Sequence, residues 1–404
     1  MSDFSGALRA LMIQRGATAC ELARQVPCDP SLISRYRNGR QQPSAKMAAR
    51  LDQVLAADGS LAAMTENPQP RRRAVLAGGL LAGTLLSIGP EAVERLAWVQ
   101  RHPPQVDVAV VESLAGVLAA QRRAEDTLGS AAMLRPALAQ LAAVEDLVRQ
   151  VHGPVRLALV HVAQQQAQFT GWLCRDGGDV AGARACCAQA LEWAAEIGDR
   201  TMTATVLTER AYMAAEAGEA GSVIGLAQGA QRDTAAATGQ RALAAGLEAR
   251  GHAMAGDTAA AQRKLGDARD LASALAGRPQ DRRPWSYWMQ PGFFQDEEGI
   301  TCAYLAGTDP RWHDRAVTLL TPEREPQADG MALWATAANL THLAFAHAQA
   351  GDVDNACTTA LAASAGARRT GSARHAAMLN RIHANLQAQS PGDTRVTQLA
   401  DAFR

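Results

Sequence analysis

Apolar residues recur at helical spacing almost from the start of the chain. Leu8, Leu11 and Met12 fall at i, i+3 and i+4, and Met47, Leu51, Val54 and Leu55 repeat the pattern after Pro43-Ser44. Between them lie two shorter helical stretches, Thr18 to Val26 and Ser31 to Asn38, separated by Pro27-Cys28-Asp29. The polar residues at the joints agree with this division. Thr18 with Glu21 three residues later makes a capping box, which predicts a helix starting at about Thr18. Asp29 can cap the next helix, and Pro30 suits its first position, where the missing N–H is no loss. Gly39 is placed to end that helix because it tolerates a left-handed backbone. The expected small core is Leu8, Leu11, Met12, Leu22, Ala23, Val26, Ile33, Tyr36, Leu51 and Val54.

Downstream the pattern becomes repetitive. From about residue 150, helical stretches break at Gly178-Asp179, Gly218-Glu219, Gly256-Asp257, Gly307-Thr308 and Gly351-Asp352, at spacings of 40, 38, 51 and 44 residues. Periods of this size predict stacked helix pairs in a solenoid. Seven residues before the glycine stand Gly171, Ala211, Ala249 and Ala344, and five after it Ala183, Val223, Ala261 and Ala356. Ala316 takes the second role in the Gly307 repeat if two residues are inserted. Small side chains in both columns let paired helices approach closely. Alternating Val, Ile or Thr runs bounded by hairpin turns are absent, so the fold class expected is all-α.

The residues Glu21-Leu22-Ala23, Ile33-Ser34-Arg35-Tyr36, Asn38-Gly39 and Pro43 resemble the phage-repressor-type helix-turn-helix of the xenobiotic-response-element regulator family over residues 4–64. Two positions depart from that pattern: Ala19 stands where the family often has a phosphate-contacting glutamine, and Arg37 follows Tyr36 where a glutamate is common. The resemblance implies a five-helix DNA-binding domain over residues 1–66, with the second motif helix entering the major groove. Ser31, Ser34 and Arg35 would then read base edges, Arg35 being best suited to a guanine, while Arg37, Asn38 and Arg40 would hold phosphate and sugar. A homodimer would place two such heads about 34 Å apart on a two-fold repeated double-stranded operator.

Gly178 to Ala183 with Ala190-Leu191-Glu192, and Gly351 to Ala356, resemble degenerate tetratricopeptide repeats. Residues 106–404 are therefore expected to form an α-solenoid that senses or dimerises, joined through residues 67–105 by a basic linker and connecting helix. A helix-turn-helix head on such a body resembles a large group of actinobacterial regulators and, more distantly, peptide-responsive quorum-sensing regulators of Gram-positive bacteria. The first helix of each pair would line a concave wall. Gln165, Gln168, Phe169, Trp172, Thr208, Glu209, Tyr212, Arg250, His342 and Phe345 would face inward there. His161, Gln165, Gln168 and Trp172 make one continuous stripe. Amides, aromatic faces, Arg and His suit a peptide, a small molecule or a partner protein, although the same aromatics could equally be core. Pro284 to Phe294 gathers Trp285, Tyr287, Trp288, Phe293 and Phe294 into one segment that fills a gap between repeats or contacts a ligand.

Charge changes the picture for the head. The chain has 40 basic and 40 acidic residues. Residues 1–73 carry ten Arg and one Lys against four Asp and two Glu, a net of +5, so residues 74–404 carry −5. A neutral total thus hides a basic head on an acidic body, as a DNA partner would require. Seven cysteines without a C-x-x-C pair give neither a disulfide framework nor a zinc-finger spacing, and point to a cytoplasmic protein. Arg71-Arg72-Arg73 and the apolar run 74–88 resemble an export signal or short span. The run is about fifteen residues long, too short for a standard span, and follows a complete domain, so no membrane partner is expected. Motifs for phosphate-loop, serine-hydrolase or zinc-protease chemistry are missing, and His313, His342 and His347 lack ligand spacing. No enzyme activity, metal or cofactor is expected. The alternative from another class is a tetratricopeptide interaction scaffold with a vestigial or non-specific head.

Overall fold

The computed structural model describes residues 4–15, 17–26, 28–38, 41, 43–55, 57, 61, 106–277, 283–322 and 333–403. All described regular structure is helical: eighteen α-helices, two short 3-10 turns, and no strand among the described residues. Contacts divide the chain into two units, Met1–Val75 and Leu76–Arg404. The expected connecting segment 67–105, with Arg71 to Arg73 and the apolar run 74–88, lies outside the described residues.

In the first unit, α1 (Phe4–Gln14), α2 (Ala19–Gln25), α3 (Pro30–Arg37) and α4 (Ala45–Val54) begin where the side-chain chemistry dictates. Thr18 and Glu21 form the capping box, with the Thr18 N–H donating to Glu21 Oε2 at 2.8 Å. Asp29 accepts from the Ser31 N–H at 2.7 Å, Pro30 opens α3, and Ser44 caps α4. Such caps each contribute about 1 kcal/mol. Asn38 closes α3, its N–H donating back to Ser34 O. Gly39 and the expected fifth helix of this domain lie outside the described residues. Leu8, Met12, Leu22, Ala23, Val26, Ile33, Tyr36 and Leu51 are buried as expected, with Phe4, Ala48, Leu55 and Leu61 added. Leu11 and Val54 pack against that core only partly buried.

The second unit begins with α5 (Val108–Leu128) and α6 (Ser130–Gln150). Paired helices follow: α7 (Pro154–Asp176) with α8 (Val180–Ile197), α9 (Arg200–Glu216) with α10 (Ala220–Gln231), and α11 (Thr238–Met254) with α12 (Thr258–Ser273). Then come α13 (Pro291–Leu305) with α14 (Pro310–Leu320), α15 (Leu333–Gln349) with α16 (Val353–Thr370), and finally α17 (Ala373–Gln389) and α18 (Thr394–Ala402). All five Gly-Asp-like breaks separate the two helices of a pair. Gly178, Gly218, Gly256 and Gly351 adopt φ between 77° and 81°, which a side chain would resist, and Asp179, Asp257 and Asp352 cap the helices that follow. Gly307 is not left-handed. The Gln349 carbonyl oxygen lies 2.9 Å from where its Cβ would stand, so close approach of α15 is what excludes a side chain there.

The two small-residue columns lie at the helix–helix contacts. Gly171, Ala211, Ala249 and Ala344, with Ala183, Val223, Ala261, Ala316 and Ala356, are all buried.

The repeats do not leave an open concave wall. The first helices of the pairs pack in sequence, α7 on α9, α9 on α11, α11 on α13 and α13 on α15, and α17 then packs on both α15 and α7. Six inner helices thus close a ring, with the second helices outside it. Closure has a chemical cause. Ser372 Oγ and Arg374 Nη2 reach Asp176 Oδ1 at 2.7 and 3.1 Å, and Arg381 Nη1 donates to Glu216 O at 2.8 Å. A Cβ on Gly129 would stand 2.6 Å from Thr370 O, and one on Gly371 would stand 2.5 Å from Ala131 Cβ. These two glycines, both left-handed, let the last repeat meet the first.

Candidate functional site

The first candidate site is the outer face of α3. Its fourth and seventh residues, Ile33 and Tyr36, are buried against α1 and α2, which fixes the rotation of the helix about its axis. Ser31, Arg35 and Asn38 are then fully exposed and Ser34 and Arg37 half-buried, with 31, 34, 35 and 38 on one face. Arg9 Nη2 donates to Arg37 O at 3.2 Å and ties α1 to the end of this helix. Arg40 lies outside the described residues. A family model described as a helix-turn-helix domain matches residues 3–64. That span contains α1 to α4 and every residue expected to meet nucleic acid. No curated protein matches the chain at a significant level. The amino-terminal unit is therefore a helix-turn-helix domain of DNA-binding type, and the regular structure described from residue 106 onward is an all-helical body.

The second candidate site is the interior of the ring, a cavity of about 480 Å³. Every inner helix contributes to its wall, joined by α5 and by the segment around Trp285. Of the sequence-derived groove residues, Gln168, Trp172, Tyr212, Arg250 and His342 line it, as do Phe169 and Glu209. Gln165 and Phe345 do not. Gln165 turns toward α5, where Arg122 Nη2 donates to its backbone carbonyl at 3.2 Å, while its own amide donates to His161 O. Phe345 packs on Tyr304 with ring centroids 5.0 Å apart, inside the α13–α15 core. Both corrections have one cause: a closed ring has a narrower inward face than an open wall, so positions at its margin become helix-packing positions. Thr208 is likewise buried, receiving Gln240 Nε2 at 2.5 Å.

Nine of the chain's 17 aromatic side chains line this one cavity. In a body whose core is mostly alanine, leucine and valine, that concentration marks the cavity as different from packing. The segment 284–294 supplies four of them. Trp285 is buried, and its indole N–H points at Thr205 Oγ1, 3.4 Å away. Tyr287 donates to Asp126 Oδ2 at 2.7 Å, and Trp334 to Asp126 Oδ1 at 3.1 Å. Trp288 meets Phe293 and Trp334 edge-on, and Trp334 meets Trp172 in the same way. Trp285 also borders a second cavity of about 440 Å³, where Arg269 and Arg315 both hold Glu298. The buried Glu298 carboxylate of that second site is thus already paired.

Charges in the ring cavity are balanced in sign but not in hydrogen bonds. Arg175 is sandwiched between Trp172 and Tyr212, 4.7 and 4.8 Å from their ring centroids. Glu209 and Glu216 outweigh its burial and hold it firmly protonated. Its Nη1 is 3.1 Å from Glu209 at an angle that makes no hydrogen bond, and its Nε is 3.8 Å from Glu216, too far for one, so both donors are unsatisfied. Arg250 donates to Glu297 at 2.5 Å, while its Nε has no partner. Burial pulls Arg122 down to about 10. Burial, with Asp126 adjacent, pushes Glu125 up to about 7. His342 falls to about 3 through burial and the neighbouring Arg250. His375, 1 % exposed, is held well below the usual imidazole range by burial and then Arg374, and neither of its ring nitrogens has a partner.

Sequence inspection missed Arg175, Arg374, His375, Trp334 and the α5 residues Arg122, Glu125 and Asp126. Arg175 was within reach, since it continues the stripe 165, 168, 172 by one more step. The others come from elements up to 250 residues apart and carry no local signal. The structure also pairs two histidines that looked scattered: His313 Nε2 stands 3.0 Å from His347 Nδ1, itself 3.6 Å from Asp352 Oδ2. These three could hold a metal ion. An imidazole–imidazole hydrogen bond already satisfies the pair, and Asp352 is engaged in capping α16 through Asn355. Among the described residues no helix is long and apolar enough to cross a membrane.

Proposed function

We propose that the chain is a sequence-specific transcriptional regulator of the xenobiotic-response-element type whose closed ring of tetratricopeptide-like helix pairs binds an effector. The observation that carries this is the orientation of α3 in a helix-turn-helix domain. Ile33 and Tyr36 anchor one side, so Ser31, Ser34 and Arg35 stand together on the free side. A side chain exposed on a rigidly seated helix can reach base edges in the major groove, and a guanidinium suits the paired acceptors of guanine. The basic balance of residues 1–73 supplies the phosphate attraction. Binding as a homodimer would match a two-fold repeated operator. An effector in the cavity would alter DNA affinity to the extent that it prefers one arrangement of the protein.

Gel-shift titrations of the full chain against operator and unrelated duplexes over a salt series test the assignment. Arg35→Ala is expected to lose roughly 1–3 kcal/mol of discrimination between them. Arg40→Ala is expected to weaken both equally and to reduce the salt slope by about one. If both substitutions act alike on all duplexes, α3 is not the reading helix.

A further inference from the structure

We infer that the ring cavity, taken as the effector site proposed above, binds a small aromatic carboxylate whose ring lies on the tryptophan wall and whose anionic group meets Arg175 and His375. Three observations lead there. Size excludes an extended chain: about 480 Å³ enclosed by six helices and the 284–294 segment lies in the range of small-molecule pockets. The aromatic side chains Trp172, Trp288, Phe293 and Trp334 already meet edge to face, an arrangement that one further flat ring can join.

Hydrogen-bond demand then fixes the sign of the ligand. The orphan polar atoms on the cavity wall are all nitrogens: Nε and Nη1 of Arg175, Nε of Arg250, and both ring nitrogens of His375. Three of these are guanidinium donors, and neutral His375 adds one N–H donor and one acceptor nitrogen, so donors outnumber acceptors four to one. Buried donors without acceptors are costly and call for a partner. Four of the five acids on the wall accept hydrogen bonds by comparison, and Glu216 is held by ion pairs with Arg175 and Arg374 at 3.8 and 3.6 Å. Glu125 receives Ser130, Asp126 receives Tyr287 and Trp334, Glu209 receives Gln168, and Glu297 receives Arg250. Asp176 keeps one orphan oxygen, but it does not line the cavity. Burial above all keeps His342 and His375 neutral, and the neighbouring positive charges of Arg250 and Arg374 act in the same direction. A carboxylate supplies acceptors where they are missing. An organic cation would face the guanidinium donors of Arg175 and Arg250 and leave them unsatisfied.

The test is calorimetric titration of the full-length protein with naphthalene-2-carboxylate, naphthalene-2-carboxamide, 2-(aminomethyl)naphthalene and cyclohexanecarboxylate. The naphthoate is expected to bind about tenfold tighter than the amide, with the amine and the alicyclic acid weaker still. His375→Leu should weaken naphthoate binding about tenfold yet raise the melting temperature of the unliganded protein, since it removes two unsatisfied polar atoms. That pair of effects separates loss of a contact from loss of the fold. An amine or amide that bound as tightly as the acid would overturn the carboxylate assignment and leave an effector cavity standing. Binding of short peptides but none of the four compounds would overturn the small-molecule assignment. Were neither to bind, the cavity would fail as an effector site altogether. A His375→Leu protein that bound naphthoate normally would remove His375 from the site.

Discussion

The head and the body of this chain solve the problem of presenting a functional surface in opposite ways. In the helix-turn-helix unit five of the six groups expected to meet DNA stand on α3 and its C-cap, exposed or half-buried, within eight residues of sequence from Ser31 to Asn38. Two buried neighbours, Ile33 and Tyr36, are enough to aim it. In the body the cavity wall is assembled from helices between α5 and α17, and several of its polar groups, among them Arg122, Arg175, Arg250 and His375, are buried. A face on one helix is set by local helix geometry. A cavity inside a ring exists only once the ring has closed, so its chemistry depends on long-range contacts such as Ser372 with Asp176. The head can thus be read as a motif, whereas the body must be read as an assembly.

The largest effects should show whether the two units are as separate as their contacts suggest. Ile33→Ala and Leu247→Ala each empty a fully buried site and should each cost about 2–5 kcal/mol. Scanning calorimetry of the full chain should show the first lowering only the head transition and the second only the body transition. A single transition that moves with both substitutions would break the division. A smaller effect probes closure of the ring. Gly129→Ala forces a side chain onto a left-handed residue facing the Thr370 carbonyl and should cost about 1–3 kcal/mol. The loss should appear in the body transition, with increased solvent quenching of Trp172 and Trp334 fluorescence and unchanged operator affinity in gel shift. Unchanged tryptophan quenching would mean that the ring closes without this contact.

The smallest expected effect is on pH dependence and touches only the cavity. Glu125 is raised from the ordinary glutamate range to about 7, chiefly by burial. Between roughly pH 4.5 and 7 the folded body therefore holds a proton that the unfolded chain has released, so this group makes stability fall as pH rises through that window. Glu125→Gln should flatten the decline and raise the body melting temperature by a few degrees at pH 8, with little change at pH 4. An unaltered pH profile would mean that the carboxyl is not held protonated.

Much of the fold was legible from residue order. Thr18 with Glu21 and Asp29 with Pro30 announced two helix starts, because capping is chemistry between neighbours in sequence. The glycine breaks and their flanking small residues marked all five helix pairs, even the irregular one at Gly307, since a repeat must place its close contacts at fixed offsets. The cavity was legible only in part. Gln168, Trp172, Tyr212, Arg250 and His342 sit on inner helices and were found from the repeat frame, while Gln165 and Phe345 share that frame but turn into helix contacts. The aromatic cluster around Trp285 could be recognised, but not what it faces.

The sequence by itself determined the helices, their caps, the order of the pairs and the face of α3 offered to solvent, because each of these depends on residues a few positions apart. Only the tertiary structure decided that the pairs close into a ring, that Arg175 and His375 stand inside it with unsatisfied nitrogens, and that Asp126 is shared by Tyr287 and Trp334. The physical reason is distance along the chain. Contacts such as Asp176 with Ser372 join residues 196 apart, and no periodicity encodes which ends of a stack of helices will meet.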